Sequence, residues 1–244
     1  MKDFSWLGRT EILIQRDKLE LLSKKHVLVV GMGGVGSFAT EFLVRAGIGK
    51  LTVVDGDTVE ASNRNRQLPA LKTTEGMLKT EVMKERLLSI NPELELICIP
   101  EFLGPIETSE IVHNQYDYIV DCIDSITPKL NLIAESVKAG KKLVSSMGAG
   151  GKMDPTKIRV ADISKTHNCR LAFIVRKRLR AFQIKKGFKV AFSTELPLSE
   201  SMMLTDGSNY KRSAYGTISY LPAAFGGACA SVVIRDLIDW KENK

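Results

Sequence analysis

The stretch HVLVVGMGGVGSFATEFLVRAGIGKLTVVDGDTVEASNRNRQ, residues 26–67, decides the fold. His26–Val30 is a short, apolar, β-branched run that suits a buried strand. It opens directly into Gly31, Gly33, Gly34 and Gly36. Beyond them Phe38, Phe42, Leu43 and Ala46 recur at helical spacing, and Gly47 and Gly49 end the helix. A second apolar run, Leu51–Val54, is closed by Asp55. Strand, glycine turn, helix and strand with a terminal acid make half of a nucleotide-binding fold. Glycines let backbone approach a ligand, and the N–H groups that open a helix face an anion. Asp55 is placed to accept hydrogen bonds from ribose hydroxyls. A plain Gly-rich strand–helix turn shares the glycines. The terminal acid favours a nucleotide but does not say which one.

The continuation is more specific. After Asp55 come Gly56, Asp57 and the string SNRNRQ, Ser62 to Gln67. A dehydrogenase has no use for a polar, cationic loop at this place. The string resembles the ubiquitin-activating-enzyme superfamily of adenylyltransferases, which carries a GxGGxG turn, a D-x-D after the second strand, and N-x-x-R-Q or N-x-N-R-Q. Here these are Gly31, Gly33, Gly34 and Gly36; Asp55 and Asp57; and Asn63, Asn65, Arg66 and Gln67. Lys79 and the DCIDS run, Asp121 to Ser125, stand where that family has its phosphate lysine and its metal aspartate.

Outward from this stretch, strands and helices alternate. Helical patterns cover residues 3–25, Leu78–Ser89, Thr108–Asn114 and Ile126–Ala139; strand patterns cover Leu94–Ile99, Tyr116–Cys122 and Lys142–Ser146. From Gly148 the pattern changes. A glycine-rich turn, GAGGKMDP, leads to a strand at Lys157–Ile163, a basic helix at Lys165–Arg180 and a strand at Lys189–Thr194. Pro197–Gly216 is polar and irregular, suited to a crossover loop, and Tyr220–Trp240 is a final buried helix. The fold class expected is α/β: a Rossmann-like, doubly wound, mainly parallel sheet with an antiparallel C-terminal extension and a crossover loop. Residues 1–244 read as a single adenylation domain, with 26–147 the nucleotide-binding half and 148–244 the substrate half.

The chain has 244 residues, enough for one sizeable core. Its net charge of +7 favours an acidic partner, nucleic acid being the commonest, although many basic proteins bind none. Cys98, Cys122, Cys169 and Cys229 lie far apart with no CxxC, which argues against a disulfide framework or a zinc knuckle and fits a reducing cytosol. Met1–Lys25 is too charged for a signal peptide. Ser219–Ile234, the longest mainly apolar run, is short of a membrane span and contains Pro222. A cytoplasmic protein is expected, with surface membrane contact left open.

Without a GxxxxGK[ST] loop, a triphosphate must be held otherwise, and Arg66 and Lys79 are the cations at hand. Arg66 can fork onto two phosphate oxygens; Lys79 acts as a point charge. Asp124, between a strand and a helix, suits a magnesium ion shared with phosphate oxygens, or a helix N-cap. Asp121 and Asp57 read as structural. Asn63 and Asn65 suit phosphate or adenosine, or a turn. The resemblance implies ATP and Mg2+ as cofactors. It also implies a homodimer in which Arg9 reaches the neighbouring subunit's triphosphate; a solvated surface arginine is the other reading of Arg9. Attack of a substrate carboxylate on the α-phosphate would give an acyl-adenylate and pyrophosphate.

Within the superfamily, sulfur-carrier activators usually carry paired CxxC zinc ligands, and the eukaryotic activators a cysteine on the crossover loop. This chain has neither. RTEILI near the start, NRNRQ, DSITPK, GAGGKMDPTKIRVADISKT, FSTE and GTISYLPAAFG resemble the tRNA threonylcarbamoyladenosine dehydratases over nearly the whole chain. In that family ATP activates the carboxylate of the threonylcarbamoyl group on the adenosine 3′ of the anticodon. A nitrogen of the same group then closes a ring, with net loss of water. tRNA is therefore the implied partner and DNA is not expected. Arg176, Lys177, Arg178, Arg180, Lys185 and Lys186 are either its contacts or a solvated face. Asn168-Cys169-Arg170 departs from the acid-proline pair expected in relatives. Two alternatives stay open: an activator of a ubiquitin-like sulfur carrier, working with a sulfur-transfer protein, and a nicotinamide dehydrogenase.

Overall fold

The computed structural model describes residues 3–204 and 213–241. Helices α1 (Gly8–Ile14) and α2 (Arg16–Leu22) precede β1 (His26–Val30). The helical stretch expected over 3–25 is divided at Gln15, where φ is 71°. After β1 come α3 (Gly36–Arg45), β2 (Lys50–Val54), α4 (Lys79–Ile90), β3 (Glu95–Ile99), α5 (Pro105–His113), β4 (Tyr118–Asp121), α6 (Ile126–Lys138) and β5 (Leu143–Ser146). The C-terminal part adds β6 (Ile158–Asp162), α7 (Arg170–Leu179), β7 (Lys189–Ser193), β8 (Met202–Leu204), β9 (Ser213–Tyr215) and α8 (Tyr220–Leu237).

Seven strands form one sheet in the order β3-β2-β1-β4-β5-β7-β6. Every neighbouring pair is parallel except β6 with β7, so the antiparallel extension sits at one edge, as expected. The run His26–Val30 is apolar throughout because both faces of β1 are covered. Val27 and Val29 pack with Leu19, Leu43, Met83 and Phe225, from α2, α3, α4 and α8. Leu28 and Val30 pack on the other face with Ile111, Leu132 and Val175, from α5, α6 and α7. No helix among the described residues is long and apolar enough to cross a membrane.

Two expectations in the C-terminal part need correcting. The basic helix begins at Arg170, not Lys165. Asp162 caps a separate 3-10 turn over Ile163–Lys165 by accepting from the Ser164 N–H, and the Thr166 hydroxyl donates to the Ile163 carbonyl. These local bonds compete with a helix, and Asn168 turns the chain at φ 54° before α7 starts. The crossover, expected to be irregular, contains the antiparallel pair β8–β9. Residues 205–212 of the expected crossover, with its Gly207, lie outside the described residues.

Candidate nucleotide-binding site

β1 and β4 are neighbours, but the chain leaves them for opposite faces of the sheet, through α3 and α6. Strand ends part at such a switch and leave a crevice. A cavity of about 800 Å3 lies there, lined at the ends of β1, β2, β4 and β5 by Gly31, Asp55, Cys122 and Ser146 among others.

The turn after β1 folds tightly on itself. Gly31 has φ 97°, and a Cβ on Gly36 would stand 1.7 Å from the Gly31 carbonyl oxygen, so neither position admits a side chain. Gly33 differs: a Cβ there would meet nothing nearer than Gln67 Nε2 at 4.0 Å, so this backbone is open to the cavity. Asp55 fixes the turn. Its Oδ2 accepts from the Met32 N–H at 2.6 Å and its Oδ1 from the Asp57 N–H at 2.8 Å. Burial pushes the Asp55 carboxyl above its ordinary value, against the opposing pull of Lys79.

The cations come from two elements. Lys79 opens α4, and its ammonium donates to Asp57 Oδ2 at 2.8 Å. Arg66 Nη1 donates to the Ser62 carbonyl at 2.9 Å and to Asn65 Oδ1 at 2.8 Å, which sets the guanidinium on the cavity wall. Asn63 is buried. Its Oδ1 accepts from the Glu60 N–H at 3.2 Å, closing the 3-10 turn over Ala61–Asn63, and the residue still lines the cavity.

Asp124 also lines the cavity, as an exposed residue. Beneath it Asp121 is fully buried and accepts from Lys129 Nζ at 2.7 Å, the Ser145 hydroxyl at 2.6 Å and the Ile123 N–H at 3.0 Å. Asp121 thus holds the turn that carries Asp124. Among the described residues no three His, Cys, Asp or Glu side chains gather as a metal cage. A cation at Asp124 would take its other ligands from phosphate and water, as magnesium does.

The cavity therefore brings together Gly31, Gly33, Gly34, Asp55, Asn63, Arg66, Lys79 and Asp124. Three expected residues do not line it. Gly36 is a packing glycine behind the turn. Asn65 donates to the Thr217 carbonyl at 2.9 Å and ties the loop to the segment before α8. Arg9 is exposed on α1. Phe102 and Leu103, which follow β3, line the cavity without any motif to announce them. Gln67 carries a stronger hint: its Oε1 is buried without a hydrogen-bond partner, beside the open backbone of Gly33. Two cations and an open glycine backbone suit a polyphosphate, and the unsatisfied amide oxygen suits a donor on the nucleoside that carries it.

A family model described as the ThiF family matches residues 8–244. The chain is similar to the tRNA threonylcarbamoyladenosine dehydratase of Bacillus subtilis, 45% identical over 191 residues, covering 78% of this chain and 75% of that protein. It is likewise similar to the Haemophilus influenzae protein of the same name, 38% identical over 248 residues, covering 98% and 94%. Its structure matches the crystal structure of the Escherichia coli tRNA N6-threonylcarbamoyladenosine dehydratase in complex with ATP, with a TM-score of 0.89 and 36% identity, covering 97% of this chain and 95% of that one.

Proposed function

The chain belongs to the ThiF family, and from that premise we propose that it is an ATP-dependent tRNA threonylcarbamoyladenosine dehydratase. ATP supplies the adenylyl group that turns the threonyl carboxylate into a good acyl donor. The observation that carries the reading at the site is the pairing of Arg66 with the Asp57-held Lys79 in one cavity, beside the open backbone of Gly33. Arg66 and Lys79 neutralise phosphate charge, Asp55 and Asn63 orient the nucleoside end, and Asp124 holds Mg2+. Such a site aligns groups and stabilises charge; it needs no nucleophile of its own.

The thiols support ring closure within the substrate. Burial pushes the Cys98 thiol up to about 11, and hydrogen bonding to Cys229 together with burial raises Cys122 well above its ordinary value. Cys169 and Cys229 are buried. The raised thiols of Cys98 and Cys122 are poor thiolate sources, as a mechanism without an enzyme thioester allows. The acting form is a cytoplasmic homodimer, in which Arg9 of each subunit serves the other's nucleotide, and tRNA is the polyanionic substrate.

The test is pyrophosphate release and product analysis with tRNA carrying the threonylcarbamoyl group, with the same tRNA unmodified, and with a sulfur carrier ending in diglycine. Release with the modified tRNA alone, together with loss of water from its nucleoside, is the expected result. Arg66→Ala should reduce it by a factor of ~10² or more. Release with the carrier protein instead would replace this reading with carrier activation.

A further inference from the structure

A second pocket, of about 280 Å3, adjoins the nucleotide cavity. Lys152, Met153, Leu198, Ser201 and Ile218 line it, and Thr217 lines both spaces. Lys152 is only 4% exposed. Among the described residues its ammonium makes one hydrogen bond, to the carbonyl of Gly148 at 3.1 Å, and Gly148 is itself part of the nucleotide cavity's wall. The charge therefore stands at the partition between the two spaces.

Among the described residues this buried ammonium has no carboxylate committed to it. Cys169 and, less strongly, Glu195 act on it through space, but the Glu195 oxygens are taken up elsewhere. Oε1 accepts from the Met153 and Asp154 N–H groups at 3.1 Å, and Oε2 from the Ser193 hydroxyl at 3.2 Å. Glu195 thus shapes the turn that carries Lys152. Burial lowers the Lys152 pKa from its ordinary value, a direction an incoming anion would reverse. A buried charge without a direct partner is costly, and sites that keep one commonly do so for a ligand.

We propose that this pocket is the acyl subsite: it takes the threonyl end of the threonylcarbamoyl group, with the Lys152 ammonium as counter-ion to its carboxylate. The inference rests on the dehydratase reading. The pocket has room for an amino-acid-sized group, well beyond one water. Met153, Leu198 and Ile218 offer apolar surface to a methyl group, and the carboxylate at the partition lies next to the nucleotide that activates it. An unmodified adenosine brings neither carboxylate nor methyl, so the subsite also distinguishes modified from unmodified tRNA.

The experiment compares wild type, Lys152→Met and Leu198→Trp. Lys152→Met removes the charge at similar length; Leu198→Trp fills the pocket from a wall residue that is 57% exposed, so its folding is not at issue. ATP affinity, KM and kcat for threonylcarbamoylated tRNA, and binding of modified against unmodified tRNA are measured for each. Both variants should raise KM for modified tRNA at least tenfold and lose most of the binding preference for it, with ATP affinity unchanged. A wild type that releases no pyrophosphate with modified tRNA would overturn the functional reading and this subsite with it. An active wild type, with both variants keeping its KM and its preference, would overturn the subsite alone.

Discussion

The Lys79 ammonium lies 2.8 Å from Asp57 Oδ2, and the two side chains are exposed to very different degrees, 6% for the lysine and 42% for the aspartate. The half-exposed acid, on the cavity wall, reaches a lysine that is almost enclosed. The Lys79 N–H also donates to the Asp57 carbonyl at 3.1 Å, so the D-x-D segment and the start of α4 are locked together twice. The second acid of that motif therefore serves to aim Lys79, the proposed phosphate lysine.

Asp57→Asn removes the charge and keeps the shape. The half-exposed partner limits the stability cost to about 1 kcal/mol. The functional effect should be larger, because Lys79 is then no longer aimed: KM for ATP should rise about tenfold, equivalent to ~1.4 kcal/mol. Urea denaturation and ATP-dependent pyrophosphate release measure the two separately. An unchanged KM would show that Lys79 holds its place without Asp57.

The nucleotide half was legible because its signals are local. Strand, glycine turn, helix and Asp55 all lie within thirty residues of sequence, roughly one βαβ unit, and each has a short-range physical cause. Partners drawn from other elements were not legible. Asp57 read as structural because nothing in the sequence says that Lys79 folds back onto it. Phe102 and Leu103 reach the cavity only because β3 pairs with β2, a fact of sheet order. Lys152 was visible only as one residue of a glycine-rich turn, since its burial comes from segments around Leu198 and Thr217. Arg176 was read with its basic neighbours, yet it folds back to donate to Thr166.

Asp124→Asn should separate metal dependence from nucleotide binding. The carboxylate is exposed in the cavity and carried on the turn that Asp121 fixes, so the substitution leaves the fold intact. If it holds Mg2+, the variant should need several-fold more magnesium for half-maximal activity and lose kcat by a factor of ~10 or more, with a smaller change in ATP affinity. A magnesium titration of pyrophosphate release, beside ATP binding at each concentration, checks this. Superimposable magnesium curves for variant and wild type would remove Asp124 from the metal site.

Glu41 gives a stability prediction with a defined pH window. It is buried on α3, and its Oε1 accepts from Arg45 Nε at 2.8 Å and from Arg86 Nη2 at 3.3 Å. Burial alone would raise its pKa, but the two guanidinium groups together outweigh burial and hold it below the ordinary value. A depressed carboxylate contributes stability that is present above its unfolded pKa and is lost as pH falls through the folded one. Asp55 has the opposite sign: its raised pKa means a contribution that shrinks as pH rises from the unfolded towards the folded value. Glu41→Gln should therefore cost on the order of 1–2 kcal/mol at neutral pH. The gap from wild type should narrow at an acid pH well below the ordinary glutamate value, as the depressed group begins to protonate. Urea midpoints at the two pH values decide it, and a gap of equal size at both would show that the ion pairs do not cause it.

The last prediction concerns the RNA. Lys177, Arg178, Arg180, Lys185 and Lys186 are all exposed, at and beyond the end of α7. Arg176 is not part of this surface, since its guanidinium is partly buried against the Thr166 carbonyl and hydroxyl. The other end of α7 borders the nucleotide cavity through Leu171. A ten-residue helix spans about 15 Å, so the basic cluster lies roughly that far from the chemistry. That separation suits contacts to the backbone of an anticodon arm whose modified base enters the cavity. Phosphate contacts release counterions, so each one lost lowers the dependence of affinity on salt by roughly 0.7–0.9 of a logarithmic unit. Reversing Lys177, Arg178 and Lys185 to Glu together should weaken tRNA binding at least tenfold in ~0.1 M salt, flatten the salt slope by about two, and leave ATP affinity as in wild type. If the cluster is only a solvated helix face, tRNA affinity and slope in the triple variant will match the wild type, and the RNA surface must be sought on the other walls of the cavity.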